Sequence, residues 1–139
     1  MFKLDAWTIH YQIYSDEITL PSHQTAHIEI ALEYIENTVY CGVYFVIYHK
    51  RRQMYTNDDH ITGKDGLLGL LWAKNKLIEF EEWINNDPLE FDKTKKYVLY
   101  CYWTDNRRRR VYEKALSRLG FKYTPIFGRR ALSKVIFQP

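Results

Sequence analysis

The chain predicts an α/β domain: a mixed central sheet of about five to seven strands with helices on both faces. Three observations predict it. Short apolar runs rich in β-branched and aromatic residues, Val39 to Tyr48 and Tyr97 to Trp103 above all, read as buried strands. Between them lies an amphipathic run, residues 67–85, long enough for a helix that covers a sheet. From residue 38 onward the order is strand, Gly-rich turn, helix, strand, helix, strand, which is a βαβαβ arrangement. A length of 139 residues, with 46% hydrophobic and 17% aromatic side chains, fits one folded domain over residues 1–139. No repeat or linker composition divides it.

Residues 4–14 alternate Trp7, Ile9, Tyr11 and Ile13 against Thr8, His10, Gln12 and Tyr14, the period of a half-buried strand. Ser15-Asp16-Glu17 breaks it, and Pro21-Ser22 marks a second break. Residues 23–36 fit two periods. Ile28, Ala31, Leu32 and Ile35 share a helix face, whereas Ile28, Ile30, Leu32 and Tyr34 share a strand face. Ala, Leu and the glutamates Glu29, Glu33 and Glu36 tip the expectation to a helix. Residues 38–48 form a strand, in which Gly42 marks a bulge or a close backbone approach. Asn57-Asp58-Asp59 is a turn.

The helix over 67–85 packs Leu70, Leu77, Phe80 and Ile84 and wets Lys74, Lys76, Glu79 and Glu82; Asn85 to Pro88 stops it. A strand follows at 97–103. Thr104-Asp105-Asn106 then offers side-chain oxygens to the free N–H groups of a second helix, 106–119. Its apolar stripe is Val111, Ala115, Leu116 and Leu119, and Gly120 supplies the left-handed residue past its end. Two strands, 121–127 and 131–137, flank Gly128-Arg129-Arg130 and close the chain.

No apolar run approaches a membrane span and Met1-Phe-Lys-Leu-Asp opens no signal peptide, so the expectation is a soluble, cytoplasmic protein without membrane contact. Cys41 and Cys101 both fall in strands and read as reduced core thiols. The five histidines lack a ligand spacing beyond His23/His27, and no Cys-x-x-Cys or His-Glu-x-x-His appears, so no metal site is expected. No nucleophile elbow is present either. The formal net charge is only +3, but basic residues cluster at Lys50 to Arg52, Lys93 to Lys96, Arg107 to Arg110 and Arg129-Arg130. Four arginines in the first turn of a helix oppose its dipole, which favours anions there by about 0.3–1 kcal/mol each. Either an anionic partner meets one or two of Arg107, Arg108, Arg109 and Arg110, or the four are solvated surface.

Gly63, Gly66 and Gly69 stand at three-residue spacing before the long helix. Glycine lets a backbone approach an oxyanion, and a helix start has free N–H groups and a favourable dipole. Gly63, Lys64, Gly66, Leu67 and Gly69 are therefore candidate phosphate-binding residues. The alternative is a plain loop in which Gly66 and Gly69 allow close helix–sheet packing.

Asn106, Tyr112-Glu113-Lys114 and Leu119-Gly120-Phe121 together resemble the C-terminal motif of the GNAT superfamily of N-acetyltransferases. The resemblance covers roughly residues 60–137. It implies the GNAT fold, acetyl-coenzyme A as cofactor and an amine-bearing small molecule or protein as acceptor. It also makes the 63–69 segment the pyrophosphate loop, Asn106 a cofactor contact and Tyr112 the general acid. The loop motif matches at Gly63 only, with His60 for the usual Gln or Arg and Asp65 for the second Gly. Asp65 would repel a pyrophosphate if it pointed inward, and would cap the helix if it did not. Ala115 to Arg118 are extra before Gly120, about one turn or 6 Å of helix. The acid thus maps onto Tyr112 by motif and onto Leu116 by distance from Gly120.

Three readings stand at this point. The first is an acetyl-coenzyme A-dependent N-acyltransferase, its cofactor in the V between the strands at 38–48 and 97–103. The second is a catalytically inactive GNAT-like binding or virion-associated protein, a likeness shared with phage acyltransferase-like proteins. The third is a nucleic-acid binder that uses the Arg-rich helix start.

Overall fold

The computed structural model describes residues 1–8, 11–49, 64–87, 89–102 and 106–139. The strands are β1 (Lys3–Thr8), β2 (Tyr11–Thr19), β3 (Gln24–Ile35), β4 (Thr38–His49), β5 (Lys96–Tyr102), β6 (Lys122–Ile126) and β7 (Arg129–Phe137). The helices are α1 (Lys64–Asn86) and α2 (Asn106–Leu116), the latter extended by a 3-10 turn, Ser117–Leu119. All seven strands join one mixed sheet in the order β1-β2-β3-β4-β5-β7-β6. Among the described strands only β4 and β5 run parallel. Gly120, at φ 94, ends the second helical segment as expected.

Three expectations about the N-terminal third need correction. The alternating run 4–14 is not one strand, because it contains two antiparallel ones, with Thr8 paired to Tyr11 and Trp7 to Gln12. Ser15-Asp16-Glu17 does not break β2, which continues to Thr19. Residues 23–36 are not a helix; β3 is paired with β4 along its whole length and with β2 from Thr25 to Glu33. Helix propensity separates ordinary residues by less than about 0.7 kcal/mol each. In β3 the period of two buries Ala26, Ile28, Ile30 and Leu32 completely, and a bulky apolar side chain contributes about 1.5–3 kcal/mol on burial. A helix there would also leave β2 and β4 without the strand between them. Tertiary pairing wins.

Both described helices pack into one cluster on one face of the sheet. Ala73, Leu77, Phe80 and Ile84 of α1 and Leu116 of α2 meet Ile28, Ile30, Leu32, Val39, Cys41, Tyr97, Leu99, Cys101 and Leu132. With residues 23–36 inside the sheet, no described helix remains for the opposite face. That face holds a small second cluster, Val98, Ile126 and Ala131, bordered by Tyr40, Tyr100 and Tyr102.

Aromatic edges lock α1 in place. Trp83 meets Tyr14 at 5.2 Å and Phe91 at 4.8 Å, both nearly perpendicular. Asn85 donates to the Ile136 carbonyl and Lys134 to Glu81, tying α1 to β7. Asp87 caps the exit from α1 by accepting the N–H groups of Leu89 and Glu90. Both cysteines are free and buried. Burial pushes both thiols up, Cys101 to about 12.

One ion pair lies under α1. The buried Lys76 ammonium sits 2.5 Å from Asp16 of β2 and also contacts Glu79. Burial would raise the Asp16 carboxyl, but hydrogen bonds from Lys76, the Met1 amino group and the Glu17 N–H outweigh it and hold it below the usual range. Asp16→Asn should therefore cost about 0.5–1.5 kcal/mol at neutral pH, the range for one lost hydrogen-bonded partner, since Lys76 keeps Glu79. A depressed folded-state pKa stabilises fully above the unfolded value of about 3.9 and ceases to do so as pH falls through the folded value. Urea unfolding of the two proteins should thus give stabilities that separate above about pH 5 and converge in acid; a gap independent of pH would contradict the pairing. Thiol labelling gives a second check. Cys41 and Cys101 should react with a thiol reagent only as fast as the protein opens, and rapid native-state labelling of both would be inconsistent with their burial.

Candidate active site

The parallel register of β4 and β5 runs from Thr38↔Lys96 to Gly42↔Tyr100 and then stops. β4 continues to His49 and β5 to Tyr102, so beyond Gly42 the two strands have no ladder pairs among the described residues. The β5-facing backbone groups of residues 43–49 are thereby available to something other than β5. Backbone N–H and C=O groups need partners, so a strand parted from its neighbour can bind an extended, amide-bearing chain. The V expected between these strands has its apex at Gly42 and Tyr100.

The N-terminal half of α1 lies against the open arm of β4. The helix starts at Lys64, earlier than the sequence suggests, so Lys64, Gly66, Leu67 and Gly69 occupy its first two turns rather than a loop. Gly63 and the rest of 50–63 lie outside the described residues, as do Trp103, Thr104 and Asp105. The first four N–H groups of a helix lack intrahelical partners, here those of Lys64 to Leu67. Gly69 is past them, and its role is packing. A Cβ on Gly69 would lie 2.8 Å from Ile47 Cδ1 and 3.6 Å from Leu20 Cδ1. Gly66 is buried, whereas Leu67 is 60% exposed.

α2 starts at Asn106, just past the end of β5, and carries Tyr112 in its second turn. The side chains of Asn106 to Arg109 and of Tyr112 lie outside the description. Leu116, the alternative to Tyr112 by distance from Gly120, is a buried core residue. Arg110 is exposed.

On the helix-free face, aromatic side chains gather at the apex, a feature that the sequence reading missed. A Cβ on Gly42 would lie 2.8 Å from Tyr100 Oη and 3.0 Å from its Cζ. Gly42 is therefore the close approach that its place in a strand suggested, and the Tyr100 ring lies across it. Phe127 meets Tyr40 at 4.8 Å and Tyr100 at 6.1 Å. Tyr102 packs on Tyr100, donates to the Ile126 carbonyl and carries the Arg129 guanidinium over its ring at 4.1 Å. Phe127 and Gly128 form the β6–β7 turn at φ 50 and φ 77. A bulky residue at positive φ is rare, and here the ring contacts hold it.

No protein-family model and no curated protein matches the chain. A solved structure described as a presumed acetyltransferase from Sphaerobacter thermophilus DSM 20745 is similar over 96% of this chain and 74% of its own, at 11% identity and a TM-score of 0.41. That score is too low for anything to be argued from it. Among the described residues no helix is long and apolar enough to cross a membrane.

The packing role of Gly69 is testable. Gly69→Val would drive a side chain into Ile47 and lever α1 away from β4. Overpacking of this kind costs about 1–3 kcal/mol, so the melting temperature should fall by several degrees; an unchanged Tm would show that the helix has room to shift.

Proposed function

We propose that this protein is an acetyl-coenzyme A-dependent N-acyltransferase. The observation that carries the reading is the parting of the parallel pair β4/β5 at Gly42 and Tyr100, beside the start of a long helix. The fit to the cofactor is good at one end and narrow at the other. Freed backbone groups of β4 beyond Gly42 suit its amide-containing arm. For the pyrophosphate, the N–H groups of Lys64 to Leu67 remain, with Gly63 before them and Gly66 among them, while Gly69 is taken up by Ile47.

Bound acetyl-coenzyme A would supply the acyl group as a thioester. The chain's part is to orient that thioester at the apex and to manage charge and protons. Backbone N–H groups at the parting of the strands would hold the negative charge that grows on the acyl oxygen. The amine of the acceptor forms the new N–C bond as the C–S bond breaks. Of the two protons that an ammonium acceptor loses, one goes to solvent before attack and the other ends on the departing sulfur. Tyr112, the acid by motif, would deliver it.

Coenzyme A binding tests this directly. A ligand at about 100 times its Kd raises stability by about 2.7 kcal/mol, so millimolar coenzyme A should raise the Tm by several degrees. Gly66→Leu should abolish that shift, since Gly66 is buried in the first turn of α1, where a bulky side chain would obstruct approach to the free N–H groups. Tyr112→Phe should keep the shift and slow turnover. An unchanged Tm at millimolar coenzyme A would overturn the proposal and favour a non-catalytic binding protein, with the arginines of α2 as the contact for an anionic partner.

A further inference from the structure

The modest net charge hides a division along the chain. Residues 106–139 hold ten of the 20 Lys and Arg residues against a single acid, Glu113, a balance of +9. Residues 1–105 hold the other ten cations against sixteen acids, a balance of −6. The fold turns this division of sequence into one of space. The cationic segment builds α2 and the pair β7–β6, which ends one side of the sheet, whereas β1, β2 and β3 end the other.

Within that segment α2 sets cations in a row. Arg110, Lys114 and Arg118 are exposed, on the side of the helix turned away from buried Leu116. Successive members are four residues apart, about 6 Å along a helix. α2 packs against β7. There Arg130 shares a face with the core residue Leu132, so it is exposed on the sheet face that carries the helices. None of these four cations has an ion-pair partner among the described residues. The lone acid of the segment is already engaged, because Glu113 accepts a hydrogen bond from Tyr123 of β6. That bond sets the Tyr123 ring, 49% exposed, beside α2. The helix dipole favours cations where Lys114 and Arg118 stand but opposes them at Arg107 to Arg110. The counter-charge must come from outside the segment.

The row also discriminates among anionic partners. The described apolar residues of α2 are all at least partly buried, so the row lacks the apolar face with which a helix enters a membrane surface. Regularly spaced cations suit a polymer of regularly spaced phosphates, to which arginine can bond in bidentate fashion. An exposed ring beside them offers a base a stacking surface, the combination that single strands use. We infer that the row Arg110, Lys114 and Arg118, flanked by Arg130 and Tyr123, binds the phosphate backbone of a single-stranded nucleic acid. This interaction goes beyond the transferase reading and does not rest on it.

Fluorescence anisotropy of a labelled 20-nucleotide single strand, titrated with the full chain, tests it. At 150 mM salt the Kd should lie within about 1–100 μM. Contact with four phosphates gives a slope of log K against log salt of about −2.8, so affinity should fall roughly 50-fold between 50 and 200 mM. Arg110→Gln, Lys114→Gln and Arg118→Gln combined should weaken binding at least tenfold and cut the slope to about −0.7. All three side chains are exposed, so the Tm of this variant should match that of the parent. Tyr123→Ser should weaken the single strand several-fold and spare a duplex of equal length. Lys3→Gln, on β1 at the far side of the sheet, should alter neither. No binding at 50 mM salt, or a combined variant that binds like the parent, would overturn the inference. So would a preference for duplex that Tyr123→Ser leaves unchanged. Tighter binding to poly-glutamate or to phosphatidylserine vesicles would replace it with an acidic protein or a membrane. Self-association at low salt without strand binding would replace it with the acidic end of a second copy.

Discussion

β4 is bonded along its whole length by β3 but only from Thr38 to Gly42 by β5, and the layout of the molecule follows from that inequality. The antiparallel partner fixes the register of β4 from Thr38 to His49. The parallel partner, which can be reached only through the α1 crossover, lets go partway. What is unusual is not that two strands diverge but that a full-length partner backs the divergence. The open arm of β4 therefore cannot collapse into a disordered tail, and its freed edge is presented on a rigid strand. Rigid placement is what a site needs, since small displacements of reacting groups are costly.

Helix α1 completes that frame from one side only. Its apolar stripe, the ring of aromatic contacts around Trp83 and the Lys76–Asp16 pair all bind it to the covered face. Gly69 brings its first turns into contact with the open arm of β4. The same helix thus closes the core and sets the position of its own N-terminal amides. On the other face nothing comparable is present among the described residues, and the tyrosines there serve as both lining and cover for Val98 and Ala131.

The parts legible in the sequence were those whose signal is local. β4, β5 and the two helices follow from apolar period and from caps such as Gly120, and Gly42 signals a bulge or a close approach without naming its partner. β3 was misjudged because its competing periods differ by little locally, and the decision rests on two neighbours distant in sequence or not yet identified as strands. The β1–β2 hairpin was hidden because one alternation runs through both strands, so the reversal leaves no break in pattern. Tyr40, Tyr100 and Phe127 could not have been grouped in advance. They meet only through cross-strand registers, which link residues about 60 positions apart, here 40 with 98 and 42 with 100. Tyr112, by contrast, stands out by resemblance and the 63–69 segment by its glycine spacing, and the aromatic cluster around Gly42 owes nothing to either.

Phe127 leaves a last consequence. At φ 50 it carries backbone strain of order 1–3 kcal/mol, which its ring offsets by resting on Tyr40 and Tyr100 across β5. The hairpin tip therefore has two self-consistent solutions. One is a residue at ease with positive φ, Gly or Asn, that forgoes the ring; the other is an aromatic that accepts the strain and staples three strands together. Any aliphatic side chain in between would carry the strain without the staple. Neutral drift at this position must then jump between two separated islands rather than slide along a slope of hydrophobicity.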